Sequence, residues 1–132
     1  METRIAVPVE PGFAELYAAT RDVTYRAVLL SLRHRERAED AVHEAFARAL
    51  SRWPELEQHP QPVAWLVRVA LNVDRSAWRV WRREQREPPE LVAPPQEGSL
   101  DPWLVRQVWR LPRRQREVVA LRILADLDTE QT

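Results

Sequence analysis

Apolar side chains recur every three or four residues along most of this 132-residue chain, which is the period of an amphipathic helix. The pattern predicts helices over about 13–32, 36–53, 62–86, 102–111 and 113–124. Because the chain has two glycines and few alternating runs, strands are not expected, and we predict an all-α fold. The clearest core stripe lies in the second helix and contains Ala38, Ala41, Val42, Ala45, Phe46, Ala49, Leu50 and Trp53.

Most of the eleven prolines lie between these periodic segments and mark the connections. Residues 1–12 are predicted to form a loose leader and residues 87–100 a flexible proline-rich linker. Residues 54–62 hold three prolines, so we expect no regular structure there. This layout predicts an N-terminal helical bundle over 13–86 and a partial C-terminal helical domain over 101–132.

The C-terminal segment carries the signals of helix starts. Asp101 followed by Pro102 is typical of an N-cap and a first helical position. Trp103 and the apolar residues that follow it are expected to form a short apolar helix, and in the next helix Val118, Val119, Leu121 and Leu124 are expected to face inward. Asp128 and Gln131 have the spacing of a capping box, yet no helix follows. We therefore expect the sequence to stop where a further helix would begin.

The helix predicted for 62–86 has two contrasting faces. One collects Leu66, Val69, Ala70, Val73, Ala77, Val80 and Trp81 and is expected to pack on the core. The other has no acid, and such a face suits a nucleic-acid backbone and unstacked bases. It could equally be a solvated face whose arginine stems cover apolar surface. That second face carries Trp65, Arg68, Asn72, Arg75, Arg79, Arg82, Arg83 and Arg86.

Charge is balanced overall but unevenly placed. The formal net charge is zero, and all twenty basic residues are arginine. Residues 65–86 hold six arginines against two acids, and residues 102–124 hold six against one. The absence of cysteine excludes disulfides and thiolate metal sites. Because no run approaches the ~18 apolar residues of a membrane span and the N-terminus lacks a signal-peptide core, we expect a cytoplasmic protein without membrane insertion.

The outer face of the second helix is acidic at its start and basic at its end. Glu44 and Arg48 can pair at i, i+4, so these charges could serve only to stabilise the helix; they could also form an acidic docking patch. The sequence contains few motifs that indicate catalysis: it has no glycine-rich phosphate loop and no nucleophile motif. Glu39 and His43 offer two metal ligands without a third. We predict a protein that is not an enzyme and has no cofactor or metal.

Three stretches together resemble a bacterial RNA polymerase sigma factor of the extracytoplasmic-function group. They are RERAEDAVHEAFARALSRWPEL, AWLVRVALNVDRSAWR and LPRRQREVVALRILADLDTEQT, in this order. The resemblance implies that residues 13–86 bind core polymerase and melt promoter DNA. It favours the docking interpretation at Asp40 and Glu44. The residues implied to dock on the clamp helices of the largest polymerase subunit are Glu39, Asp40, Glu44, Phe46 and Arg48.

The same resemblance implies that the helix predicted for 62–86 holds the melted DNA strand. Trp65, Arg68, Asn72 and Arg79 match family positions, and Arg75, Arg82 and Arg83 share their face. The loop over 54–62 would receive a flipped base of the minus-ten element. Two departures stand out: Ser76 replaces an aspartate of many members, and Arg33-His34 replaces a glycine-aspartate pair.

The last stretch resembles the scaffold of the helix-turn-helix domain that reads the minus-thirty-five element. Such a domain needs a recognition helix in the major groove, and the chain ends at Thr132 before one. We predict a sigma factor that directs polymerase to promoters and opens the minus-ten element. The alternative is a truncated sigma-like module that binds core polymerase or an anti-sigma factor without starting transcription.

Overall fold

The computed structural model describes residues 12–84 and 101–125, in which every regular element is a helix. This confirms the all-α prediction. Most of the leader, the linker over 87–100 and the pair Asp128 and Gln131 lie outside the described residues. The elements are α1 (Phe13–Leu32), α2 (Arg35–Ser51), α3 (Trp53–Glu57), α4 (Pro62–Glu84), α5 (Pro102–Trp109), α6 (Arg113–Val119) and a π-helical segment (Ala120–Ala125).

The core forms where α1, α2 and α4 pack together. The stripe predicted for the second helix is confirmed, because all of its residues are buried except the half-buried Leu50. Aromatic rings extend this core: Tyr17 and Phe46 meet edge to face with centroids 4.8 Å apart, and Phe13 and Trp53 do so at 5.6 Å. Such pairs add to the free energy gained by burial, so they help to fix α1 against α2 and α3.

The buried face of α4 differs from the predicted one. It contains Val63, Val67 and Leu71 in addition to Leu66 and Ala70, whereas Ala77 is exposed and Val80 is 54% exposed. The prediction was wrong at these last two positions because the packed face is rotated toward Val67 and Leu71. The side chain of Trp81, also predicted to be in the core, lies outside those described.

Asp74 explains this rotation, since it lies within the packed face and is 4% exposed. Two oxygens of its carboxylate accept hydrogen bonds from Arg37 at 2.9 and 2.6 Å. Arg113 donates a further bond at 3.1 Å. A carboxylate can be buried when guanidinium groups pair with it in this way. An acid therefore lies in the packed face of α4, which the spacing of apolar residues alone does not predict.

The segment 54–62 begins with a short helix, so the prediction that it lacks regular structure was wrong. Pro54 follows the first residue of α3, a place where its fixed φ favours a helix and its missing N–H costs nothing. Trp53 and Leu56 are buried and anchor α3 to the core. The exposed connection to α4 is therefore reduced to residues 58–61.

The C-terminal helices α5 and α6 and the π-helical segment pack on α1, and the π-helical segment also packs on α4. Asp101 caps α5 as predicted, accepting a bond from the Trp103 N–H at 2.7 Å. The indole N–H of Trp109 donates to the Leu30 carbonyl at 2.8 Å. Val105, Val108, Trp109 and Ala120 join the same core as α1, α2 and α4.

Val118 was predicted to face inward and does not, and Trp103 of the predicted apolar helix is exposed as well. Trp103 is 60% exposed and Val118 is 55% exposed. At α6 the inward position is taken by Glu117, which is buried because it binds an arginine of α4. The predicted helix over 113–124 is α-helical to Val119 and continues as the π-helical segment. The side chain of Leu124 lies outside those described.

Candidate nucleic-acid interface

The outer face of α4 carries the residues that form the basic strip, defined as Trp65, Arg68, Asn72, Arg75, Arg79 and Arg83. Arg68, Asn72, Arg79 and Arg83 are exposed, and Trp65 is half-buried at the edge. The exposure expected of the basic face is therefore confirmed at Arg68, Asn72, Arg79 and Arg83. The side chain of Arg82, predicted to lie on the same strip, is outside those described.

Arg75 differs from the other arginines of the basic strip because it is already bound. Its Nη2 contacts both carboxylate oxygens of Glu117, one at 2.5 Å. Glu117 is the one acid in residues 102–124 of the sequence, and it comes from α6. A charge-assisted contact of this kind is stronger than a neutral hydrogen bond. A phosphate that approaches Arg75 must therefore compete with Glu117.

Beneath the basic strip, a charged cluster joins three helices. Arg37 of α2 and Arg113 of α6 converge on the buried Asp74 of α4. The guanidinium carbon of Arg37 also lies 4.1 Å from the ring centroid of Trp78. The apolar pattern of the sequence did not predict this cluster. The sequence feature that could have indicated it is Asp74, an acid at a packed position of α4. The cluster fixes the orientation of α4, and hence the direction in which the basic strip faces.

The acidic face is defined as Glu39, Asp40, Glu44 and Arg48 on the outer side of α2, and all four are exposed. Glu44 accepts a hydrogen bond from Arg48 at 3.1 Å, as predicted from their spacing. Exposed pairs of this kind contribute less than ~1 kcal/mol to stability. Their charges therefore remain accessible to a partner.

Phe46 cannot belong to an exposed docking surface. It is 3% exposed and packs edge to face against Tyr17 and Phe13. The prediction that it contacts polymerase is therefore corrected: it is a core residue. It falls on the packed side of α2 because it shares the helical period of the buried Val42 and Ala49.

A groove of about 530 Å³ runs beside the acidic face, between α1 and α2. Burial raises the pKa of the Tyr25 hydroxyl there, and the charge of Glu39 raises it further against the opposing effect of Arg35. The sequence pattern did not point to this groove. Its lining consists of Tyr17, Arg21, Asp22, Tyr25, Arg35, Glu39, Val42 and His43.

Within residues 12–84 and 101–125, no three metal-ligating side chains come together. Glu39 and His43 share the groove as a pair. Over the same residues, no helix is long and apolar enough to cross a membrane. The geometry therefore offers two charged surfaces of opposite sign on one helical domain.

Comparison with known proteins agrees with this architecture. A family model described as Sigma-70 region 2 matches residues 16–87, which is more than half of the chain. The chain matches no curated protein and no solved structure. The matched residues cover almost all of α1 and the whole of α2, α3 and α4. The chain therefore belongs to the sigma-70 family of sigma factors, and these four helices form its region 2 domain.

Proposed function

We propose that this chain is a sigma factor of the extracytoplasmic-function group that directs core RNA polymerase to promoters and opens the minus-ten element. The observation that carries the proposal is the presence of two exposed surfaces of opposite charge on one region 2 domain. The acidic face lies on α2, and the basic strip lies on α4. We assign the core-binding and promoter-melting role to residues 13–86 and the start of a helix-turn-helix domain to residues 101–132.

The acidic face is proposed to dock on the clamp helices of the largest polymerase subunit. Asp40 and Glu44 are one helical turn apart and both exposed, so they present two negative charges on the same side of α2. Complementary charges at an interface raise the association rate and fix the register. Phe46 supports this surface from within the core rather than by contact.

The basic strip is proposed to hold the melted strand. Arg68, Arg79 and Arg83 are exposed along one side of α4 and suit a strand of phosphates. Trp65 at the edge offers a ring on which an unpaired base can stack, which contributes about 1–3 kcal/mol. The connection over 58–61 lies just before this strip and is the proposed site for a flipped base.

A pull-down with bacterial core polymerase tests the docking role. The variant Asp40→Arg/Glu44→Arg is expected to lose polymerase binding, since it reverses both proposed contacts. Glu15→Arg/Glu55→Arg is the matched control, because it reverses two exposed acids outside the acidic face and should bind as the wild type does. Absence of binding by the wild type, or equal binding by Asp40→Arg/Glu44→Arg, would sink the proposal.

A second candidate is an interaction module that binds core polymerase or an anti-sigma factor without starting transcription. The contact of Glu117 with Arg75 favours it, because α6 thereby occupies part of the basic strip. Both candidates bind polymerase, so binding alone does not separate them. Transcription that depends on the added chain is expected for the first candidate and not for the second.

A further inference from the structure

Three arginines meet at an open pocket where the end of α1 approaches α5. The pocket has a volume of about 420 Å³ and is lined by Arg33, Arg106, Gln107, Trp109 and Arg110. No acid is among the described residues that line it. The pocket therefore concentrates positive charge, with one amide and one indole beside it. It lies apart from both the acidic face and the basic strip, none of whose residues line it.

Within residues 12–84 and 101–125, these arginines lack the acidic partners that several other arginines have. Arg37, Arg75 and Arg113 each pair with an acid. Among the residues that the structure describes, Arg33, Arg106 and Arg110 form no ion pair. The Nε of Arg33 is moreover buried without a hydrogen-bond partner. A buried N–H left unsatisfied is costly. The exposed guanidinium groups of Arg106 and Arg110 are the ones that an anion in the pocket can reach directly.

Fixed contacts hold the pocket in shape. The guanidinium carbon of Arg33 lies 4.4 Å from the ring centroid of Trp109, and the indole of Trp109 is anchored on the Leu30 carbonyl. Arg106 and Arg110 are four residues apart at the end of α5, so their side chains project to the same side. The charges are thus carried by α5 and by the C-cap residues of α1 and α5. This placement next to packed helices reduces the ordering cost of binding.

Three donors bind the carbonyl groups at the end of α1. These carbonyl groups accept bonds from the Arg33 N–H at 2.8 Å, from the Trp109 indole and from Arg116 at 2.7 Å. Burial lowers the pKa of Arg116, and the neighbouring charges of Arg33 and Arg113 lower it further. Arg33 is thus close to the guanidinium group of Arg116 and also lines the pocket together with Arg106 and Arg110.

We propose that this pocket binds a phosphoryl group. Guanidinium groups donate paired N–H bonds to phosphate oxygens, and three of them line the pocket. Its volume falls within the range of about 300–1,000 Å³ typical of small-ligand sites. The phosphoryl group is carried either by a free phosphorylated compound or by a nucleic-acid backbone. The site goes beyond the proposed function and does not depend on it.

Calorimetric titration of the full chain with inorganic pyrophosphate tests the site. Arg106→Gln/Arg110→Gln removes two exposed charges from the pocket and is expected to weaken binding about tenfold or more, given the strength of charge-assisted bonds. Arg114→Gln/Arg122→Gln is the matched control: it removes two exposed arginines of the same C-terminal segment that do not line the pocket. The control should bind pyrophosphate as the wild type does.

No pyrophosphate binding by the wild type, or equal weakening by both double variants, would overturn the proposal. A second arm measures binding of a single-stranded oligonucleotide and its competition with pyrophosphate. Competition, together with weaker oligonucleotide binding by Arg106→Gln/Arg110→Gln alone, assigns the phosphoryl group to a nucleic-acid backbone. Oligonucleotide binding that is equal in wild type and both variants assigns it to a free phosphorylated compound.

Discussion

At the junction between α1 and α2, Arg33 has a backbone conformation that glycine favours, and His34 serves as an N-cap residue. Arg33 has a φ of 58°, a left-handed conformation that glycine adopts at little cost. His34 caps α2, and its Nδ1 accepts a bond from the Arg37 N–H at 3.1 Å. Glycine adopts a positive φ more readily than arginine, and aspartate is a common N-cap residue. Arg33 and His34 fill these two places in this chain.

The cap on α2 leads to a prediction at His34. His34→Ala removes the side-chain acceptor and should lower the free energy of unfolding by about 1 kcal/mol, the usual cost of losing an N-cap. His34→Asn keeps an uncharged acceptor at the same position and should restore most of that loss. Chemical denaturation followed by circular dichroism measures both. A His34→Ala chain as stable as the wild type would show that the cap contributes nothing.

Two buried threonines of α1 make a matched pair. The Thr24 hydroxyl has no hydrogen-bond partner, whereas the Thr20 hydroxyl donates to the Leu16 carbonyl at 2.7 Å. Thr24→Val keeps the shape and removes an unsatisfied group, so it should raise the unfolding free energy by about 1 kcal/mol. Thr20→Val removes a bond and should not stabilise the chain. Thermal unfolding compares the stabilities of the two variants. A Thr20→Val chain more stable than the Thr24→Val chain would contradict the prediction.

At the scale of elements, α6 and α4 are linked by the contact of Glu117 with Arg75. Glu117 is buried, and Arg75 keeps only part of its surface in solvent. Arg116 and Arg113 of the same helix hold α6 in place through the Ser31 carbonyl and the carboxylate of Asp74. The basic strip is thus partly neutralised by an element outside the region 2 domain.

Glu117→Gln should release Arg75 for a phosphate. We expect tighter binding of a single-stranded oligonucleotide and a salt dependence steeper by about 0.7 in log K against log salt, the increment for one added phosphate contact. Fluorescence anisotropy over a series of salt concentrations measures both. Glu15→Gln removes an exposed acid on α1 and serves as the control. Equal slopes for Glu117→Gln and the control would show that Arg75 is not part of the DNA surface.

At the scale of the whole molecule, the sequence predicts those parts of the fold whose packing positions are all apolar. The stripe of α2 is of this kind, and its buried residues follow one helical period. The packed face of α4 is not, because it contains Asp74, whose partners Arg37 and Arg113 lie 37 and 39 residues away. Pairing over such distances has no local signature.

The candidate surfaces show the same division. The basic strip and the acidic face follow from helical spacing, since exposed charges leave a periodic pattern. The ion pair between Arg75 and Glu117 joins residues that are 42 positions apart in the sequence, so helical spacing does not predict it. Likewise, the prolines of 54–62 predict a segment without regular structure, yet Pro54 lies in the first turn of α3, because proline breaks a helix interior but suits a first turn.

The most direct test of the account is transcription by bacterial core polymerase from a library of randomised promoters, with the transcript ends read by sequencing. The wild-type chain is predicted to add transcripts that core polymerase alone does not make. Arg68→Gln/Arg79→Gln should reduce this added yield about tenfold or more, since two phosphate contacts are lost, while Arg114→Gln/Arg122→Gln should not. If the wild-type chain binds polymerase yet adds no transcripts, or if Arg68→Gln/Arg79→Gln adds as many as the wild type, the proposed role in promoter opening is wrong.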